Sequence, residues 1–277
     1  MNRTKSETDL LSEERIRHYL HTEGLRLRLY PSISSTNTVL KEMAEVGEAE
    51  GLCLIAEQQT AGRGRLGRSF YSPPESGLYM SLLLRPRLPA ADAMNITACA
   101  AVAVAEAIES LAPVHAGIKW VNDIWVDGRK VCGILTEASL NGEGGRPAWL
   151  IVGIGVNTRR PSGGFPDELK TIAGSAFGSE AIPELRCRLA AGILDRLTLF
   201  SRDLKSEEIL DAYKKRSLVP GNKIWILSPG EEPEPAFALD IDRDYALLVR
   251  TADGKIRRLN AGEVSIRPTG EKEEEKA

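Results

Sequence analysis

Residues 58–70 read Gln-Gln-Thr-Ala-Gly-Arg-Gly-Arg-Leu-Gly-Arg-Ser-Phe, three arginines interleaved with three glycines. Such a loop brings positive charge and bare backbone amides to one anionic ligand, and guanidinium groups grip phosphate or carboxylate bidentately. Gly62, Gly64 and Gly67 also satisfy G-x-G-x-x-G, the dinucleotide fingerprint. A strand-like stretch at 51–57 precedes it, but residues 69–77 follow with two prolines where that fingerprint requires a helix. Arg63, Arg65 and Arg68 therefore supply the charge as side chains, and the dinucleotide reading fails.

Four further clusters could join that loop. They are Ser35-Thr36-Asn37, Lys119-Trp120-Val121-Asn122-Asp123, Gly128-Arg129-Lys130-Val131-Cys132-Gly133-Ile134-Leu135 and Gly153-Ile154-Gly155-Val156-Asn157. Each has a plain structural explanation. Ser35 or Thr36 can cap a helix, and Asn122-Asp123 can be turn residues before a hairpin. Lys130 can be a lysine on the wet face of a strand, and Gly153-x-Gly155 can serve close strand packing.

The elements that must position these clusters follow from periodicity and punctuation. Helices are expected over 10–21, 36–46, 91–111, 182–204 and 207–216. Asp9 or Ser12 would cap the first, Pro183 would open the fourth and Ser206 would cap the fifth. Strands are expected over 25–30, 51–57, 78–85, 124–126, 130–140 and 149–157. Asp127-Gly128 is a strong signal for a two-residue hairpin turn. Helices and adjacent hairpin strands together imply an α/β (α+β) fold with a mixed sheet flanked by helices. A boundary falls at 217–222. Beyond it, short strands at 223–227, 236–241, 246–250, 255–259 and 264–267, with turns at Pro229-Gly230 and Asp253-Gly254, suggest a small β-barrel. The charged tail, 271–277, reads as disordered.

Composition narrows the class. The chain has 277 residues and a formal net charge of −3, which argues against a general nucleic-acid binder. Residues 1–7 have no apolar signal core, and the most apolar stretch, 94–108, is too short to span a bilayer. The four cysteines never form C-x-x-C, and three sit in apolar runs, which points to buried free thiols in a reducing cytoplasm. Three scattered histidines form no metal-ligand pattern, so no protein-held metal is expected.

In chain order, Ser-Thr-Asn, Gly-Arg-Gly-Arg-x-Gly-Arg, Lys-Trp-x-Asn-Asp, Arg-Lys-x-x-Gly-Ile-Leu and Gly-x-Gly-x-Asn resemble the bacterial biotin–protein ligases. The resemblance covers residues 30–160 by motif and the remainder by domain order. It implies a biotin/lipoate ligase-like catalytic domain at 1–216 and a C-terminal SH3-like β-barrel at 217–270. It also implies a form lacking the N-terminal DNA-binding domain, since only about two dozen residues precede the ligase-like start. The implied chemistry joins biotin to ATP as biotinyl-5′-AMP, with Mg2+. The biotin then passes to a lysine of a biotin carboxyl carrier protein of acetyl-CoA carboxylase or a related carboxylase.

Carried over by position, the resemblance gives Ser35, Thr36, Asn37, Gln59, Arg63, Gly64, Arg65, Lys130 and Gly133 to biotin. Arg65 would retain the adenylate, and Lys130 would contact the biotin carboxylate and the α-phosphate. Arg68, Phe70, Asn122 and Asn157 fall to ATP. Asp123 falls to the acceptor lysine or a magnesium ion. Two positions depart from the family pattern: Val121 stands where many relatives have proline, and Phe70 where tryptophan is frequent. A lipoate–protein ligase shares this chemistry and is one alternative. A biotin-responsive repressor is another, disfavoured because a winged helix has no room. No nucleic acid and no membrane are expected as partners; a homodimer is left open.

Overall fold

The computed structural model describes residues 9–139, 141–228, 230–260 and 265–268. The expectations for residues 1–7, Leu140, Pro229, Val264 and the tail at 271–277 lie outside them.

Seven strands build the main sheet: β1 (Arg26–Tyr30), β2 (Leu52–Ala56), β3 (Gly77–Leu84), β4 (Gly117–Lys119), β5 (Asp123–Val126), β6 (Arg129–Ser139) and β7 (Trp149–Asn157). Their order is β1-β2-β3-β7-β6-β5-β4. Only β1 and β2 run parallel; every other pair is antiparallel, so the sheet is mixed as expected. Helices α1 (Glu13–Tyr19), α2 (Thr36–Glu45), α3 (Ala90–Ala93), α4 (Ile96–Glu109), α5 (Leu185–Phe200) and α6 (Glu207–Arg216) surround it.

Alternating side chains send each strand's residues to two different layers. Leu27, Cys53, Ile55, Leu78, Met80, Leu82, Val152 and Ile154 pack in the same buried cluster as α4 and α5. Leu52, Leu54, Leu83, Trp149 and Ile151 face the other way, against Leu40 and Ala44 of α2. Because α2 is short, it covers only part of its face. The remainder of that face is the floor of the candidate site.

Several boundaries differ from expectation. The long apolar helix is split at Met94-Asn95 into α3 and α4. Together, Ala90–Glu109 is long and apolar enough to cross a membrane, more than residues 94–108 suggested, but 78% of that window is buried in the fold. Its alanines let α4 approach the sheet and α5 closely. Pro183 does not open α5; Glu184 is the N-cap, at φ 52°. Ser206 holds the N-cap position of α6 without a side-chain capping bond. Strand β4 escaped the sequence reading because three residues are too few to show alternation. The hairpin turn forms as anticipated, with Asp127 and Gly128 both at positive φ.

Strands β8 (Lys223–Leu227), β9 (Glu234–Ile241), β10 (Leu247–Thr251), β11 (Ile256–Leu259) and β12 (Ser265–Pro268) form a second, antiparallel sheet ordered β11-β10-β9-β8-β12. Ile224, Ile226, Leu247 and Val249 join the buried cluster that contains α4. The joint is specific as well as apolar. The Trp120 indole N–H donates to the Tyr245 carbonyl (2.9 Å), and the Tyr213 ring meets Tyr245 edge-on at 5.4 Å. The Tyr213 hydroxyl, on α6, donates to the carbonyl of Val121 (3.3 Å), so α6 and the Tyr245 loop of the second sheet together brace the Lys119–Asp123 segment from behind.

Candidate active site

The floor is made by register. On the face shared with α2, Tyr79, Gly155, Gly133, Asp123 and Lys119 lie side by side across β3, β7, β6, β5 and β4. One step along, Ser81, Gly153 and Leu135 form the next row. A register shift at Ile124/Trp125 pairs Cys132 with Ile124 but Lys130 with Trp125. This bulge turns Lys130 away from the core face of Cys132 and onto the glycine floor.

Glycine is required there by what lies on top. A Cβ at Gly153 would stand 2.0 Å from Asn37 Oδ1, and one at Gly155 would stand 2.6 Å from Phe70 Cε1. At Gly133 the nearest atoms would be Phe70 Cε2 (3.3 Å) and Lys130 Cε (3.5 Å). The bare backbone thus admits the start of α2 at one end and the phenyl ring of the arginine loop at the other.

The α2 end is a polar network. Asn37 and Thr36 are buried, and the Ser81 hydroxyl lies 2.6 Å from Asn37 Oδ1 and 2.7 Å from Thr36 Oγ1. The Asn37 amide donates to the Leu135 carbonyl (3.2 Å) and to Glu137 (2.9 Å). Gln59 accepts from the Thr36 backbone N–H (2.9 Å) and Thr36 Oγ1 (3.2 Å), and its own amide donates to Ser72 (2.9 Å). Ser35 is buried at the N-cap, yet its side chain makes no capping bond. Helix capping therefore does not account for that hydroxyl.

The other end is cationic. The arginine loop folds back on itself, Phe70 N–H donating to Gly62 O (2.9 Å) and Gly64 N–H to Arg68 O (2.7 Å), with Leu66 and Gly67 at positive φ at its tip. Arg63 bonds the Glu137 carboxylate (2.9 Å), and Arg65 donates to Asn122 Oδ1 (2.9 Å). Asn122 is fixed in turn by its amide on the Ile134 carbonyl (2.8 Å). Lys130 Nζ sits 2.6 Å from Asp123 Oδ2, while Asp123 Oδ1 is buried without a hydrogen-bond partner. Burial lowers the Arg65 pKa; Asp123 opposes that shift and Arg68 adds to it. A guanidinium is not deprotonated in proteins, so Arg65 keeps its charge.

The sequence-derived residues thus fall into one assembly from Ser35 to Lys130. Arg68 is exposed and enters it as a charge repelling Arg65, and Asn157 sits half-buried at the end of β7 beside Gly77. Glu137, Ser81 and Ser72 were not anticipated. Two of them carried a signal: Ser81 is the one small polar residue in the core run Leu-Tyr-Met-Ser-Leu-Leu-Leu, and Glu137 shares the strand parity of Gly133 and Leu135. Chemically, cations held by Glu137 and Asp123 can be taken over by an anionic ligand, in a site where partial burial weakens solvent screening.

A model of the biotin/lipoate A/B protein ligase family matches residues 29–157, a span that encloses every site residue above. The bifunctional ligase/repressor BirA of Bacillus spizizenii is 36% identical over 270 residues, covering 92% of this chain and 79% of that protein. The chain belongs to the biotin/lipoate A/B protein ligase family. A second model, the biotin protein ligase C-terminal domain, matches 237–267, within the second sheet and consistent with an SH3-like barrel. The biotin–[acetyl-CoA-carboxylase] ligase of Mycobacterium tuberculosis is 28% identical over 86% of this chain and 88% of its own length. Among solved structures, the Aquifex aeolicus biotin protein ligase in complex with biotin and ATP superposes with a TM-score of 0.71 at 27% identity. That match covers 88% of this chain and 99% of the Aquifex protein. The Trp120–Val121 peptide is cis.

Proposed function

We propose that this biotin–protein ligase adenylates biotin with ATP and transfers it to one lysine of a biotin carboxyl carrier domain. The observation that carries the reading is the convergence of Arg63, Arg65 and Lys130 on a glycine-floored sheet face, opposite the Asn37–Ser81–Thr36–Gln59 network.

In the first step a biotin carboxylate oxygen attacks the α-phosphorus of ATP and pyrophosphate leaves. Both reactants are anionic, so the site must offset their repulsion and align them, and no enzyme nucleophile is needed. Arg63, Gly64 and Arg65 would lie over the biotin tail and the new acyl-phosphate anhydride, and Lys130 would contact both the carboxylate and the α-phosphate. Ser35, Thr36, Asn37 and Gln59 offer the donors and acceptors that a ureido ring requires, and Gly133 permits its close approach. Arg68, Phe70, Asn122 and Asn157 hold the nucleotide. In the second step a neutral lysine amine attacks the acyl carbon and AMP leaves. Asp123 positions that amine. Its unpartnered Oδ1 also fits a Mg2+ carried by ATP, an ion that takes one or two carboxylates besides phosphate and would partly neutralise the phosphate charge.

We assign catalysis to residues 1–216 and the C-terminal module to 217–270, where Trp120 and Tyr245 supply the joint. A reducing cytoplasm suits four cysteines that are all buried and unpaired. The repressor half of the Bacillus relative's name describes that protein. The test is incubation with biotin, radiolabelled ATP, Mg2+ and a purified carrier domain, following adenylate and labelled carrier. Biotin-dependent pyrophosphate exchange is expected. Exchange supported by lipoate and not by biotin would transfer the assignment to the lipoate branch.

A further inference from the structure

Arg186, the second residue of α5, is 2% exposed, although nothing in its local sequence calls for a buried charge. Its guanidinium reaches two segments distant in sequence. Toward the N-terminal segment it donates to the Asp9 carbonyl (2.6 Å) and lies 3.4 Å from Asp9 Oδ2. Toward the sheet it donates to Glu57 Oε1 (2.6 Å) and to the carbonyl of Gly77 (3.4 Å). Glu57 and Gly77 are the two ends of the segment carrying the arginine loop, directly after β2 and at the start of β3.

The same Glu57 oxygen accepts the backbone N–H of Glu75 (2.8 Å) from the returning arm. From there the arms are laced toward the tip. Gln59 N–H donates to Ser72 O (3.1 Å), Phe70 N–H to Gly62 O (2.9 Å) and Gly64 N–H to Arg68 O (2.7 Å). Gln59, Arg63 and Arg65 all hang from this ladder, so its register at the neck fixes where the cations stand. A buried guanidinium between two carboxylates is a rigid, directional fixture, since freeing either partner leaves a charge uncompensated away from water.

We infer that Arg186 is a positioning residue for the ligand-holding arginine loop, acting through Glu57 at the neck, and that Asp9 serves only to seat it. This rests on the adenylate-forming reading for its kinetic arm and on geometry alone for its exchange arm.

The test compares Glu57→Ala, Glu57→Gln and Asp9→Ala in the full chain. It measures amide hydrogen exchange over residues 58–76 and the release rate of biotinyl-5′-AMP. Glu57→Ala should raise exchange across 58–76 and speed adenylate release by about tenfold, the scale of one lost charge-assisted hydrogen bond. Glu57→Gln keeps an acceptor for Glu75 N–H but removes the charge facing Arg186, so it should restore no more than part of both, and full restoration would overturn the role of Arg186. Asp9→Ala should raise exchange at α1 and the start of α5 while leaving adenylate release at the wild-type rate. Unchanged loop exchange in Glu57→Ala overturns the inference, as does an Asp9→Ala release rate equal to that of Glu57→Ala. If wild type forms no adenylate, the ligase reading fails, and loop exchange alone decides the role of Arg186.

Discussion

Replacing Gly153 by alanine tests the glycine floor most directly. The added methyl would stand 2.0 Å from Asn37 Oδ1, whereas non-bonded heavy atoms settle at about 3.5 Å. Asn37 must then retreat by about 1.5 Å, and it is only 4% exposed. Such a shift takes its side chain out of reach of Ser81 (2.6 Å), Glu137 (2.9 Å) and the Leu135 carbonyl (3.2 Å) together. At about 0.5–1.5 kcal/mol net for each bond, the loss is roughly 2–4 kcal/mol. For a chain of this size that lowers Tm by about 3–7 °C. Since Asn37 is proposed to bind the ureido ring, biotin affinity should fall at least about tenfold, the equivalent of one such bond to the ligand. Calorimetric titration with biotin and a thermal melt read the two effects. The neighbouring Gly155→Ala is the contrast, because its methyl meets only the end of the half-buried Phe70 ring, which can swing aside. That variant should lose under about 1 kcal/mol and keep biotin affinity while binding ATP more weakly. A Gly153→Ala protein with wild-type melting and wild-type biotin affinity would refute the steric argument.

Three more outcomes are expected. Arg65→Ala removes the guanidinium from Asn122 and should free the adenylate at least about tenfold faster, so that bystander proteins become labelled; labelling confined to the carrier would contradict the role. Lys130→Ala should slow adenylate formation by about 10²–10³-fold while leaving the fold intact, as Lys130 is partly exposed; a normal pyrophosphate-release rate is the contrary result. At Asp195, burial pushes the carboxyl up, but hydrogen bonds from Thr22 and His21 outweigh it and hold the pKa below the usual carboxylate value. A depressed folded pKa gives stabilisation that is present above the ordinary value of about 4 and lost as pH falls through the lower folded value. The gap in Tm between wild type and Asp195→Asn should therefore be full at about pH 6 and shrink below about pH 4, and a gap undiminished in stronger acid would count against the assignment.

Much of this protein was legible in its sequence because the relevant forces act between near neighbours. Continuous apolar runs mark β2, β3 and β7, alternation of apolar and charged residues marks β1, and the Asp127-Gly128 pair marks the β5–β6 hairpin. The five clusters were visible because each packs its chemistry into a few consecutive residues. Local reading also excluded a dinucleotide fold, since prolines follow the arginine loop where a helix was needed.

Tertiary structure decided what depends on register. Gly153 lies under Asn37 because β7 pairs with β3 in one alignment, and a slip of one residue would send that glycine to the core face. The bulge beside Trp125 puts Lys130 on the floor with Gly133, although plain alternation assigns it the same face as the buried Cys132. Glu137, Ser81 and Arg186 find their partners 44 to 177 residues away, through Arg63 and Asn37, through Asn37, and through Glu57 and Asp9. Local propensity carries no information about such distances. They exist only once burial of the two sheet faces has fixed which strands lie side by side.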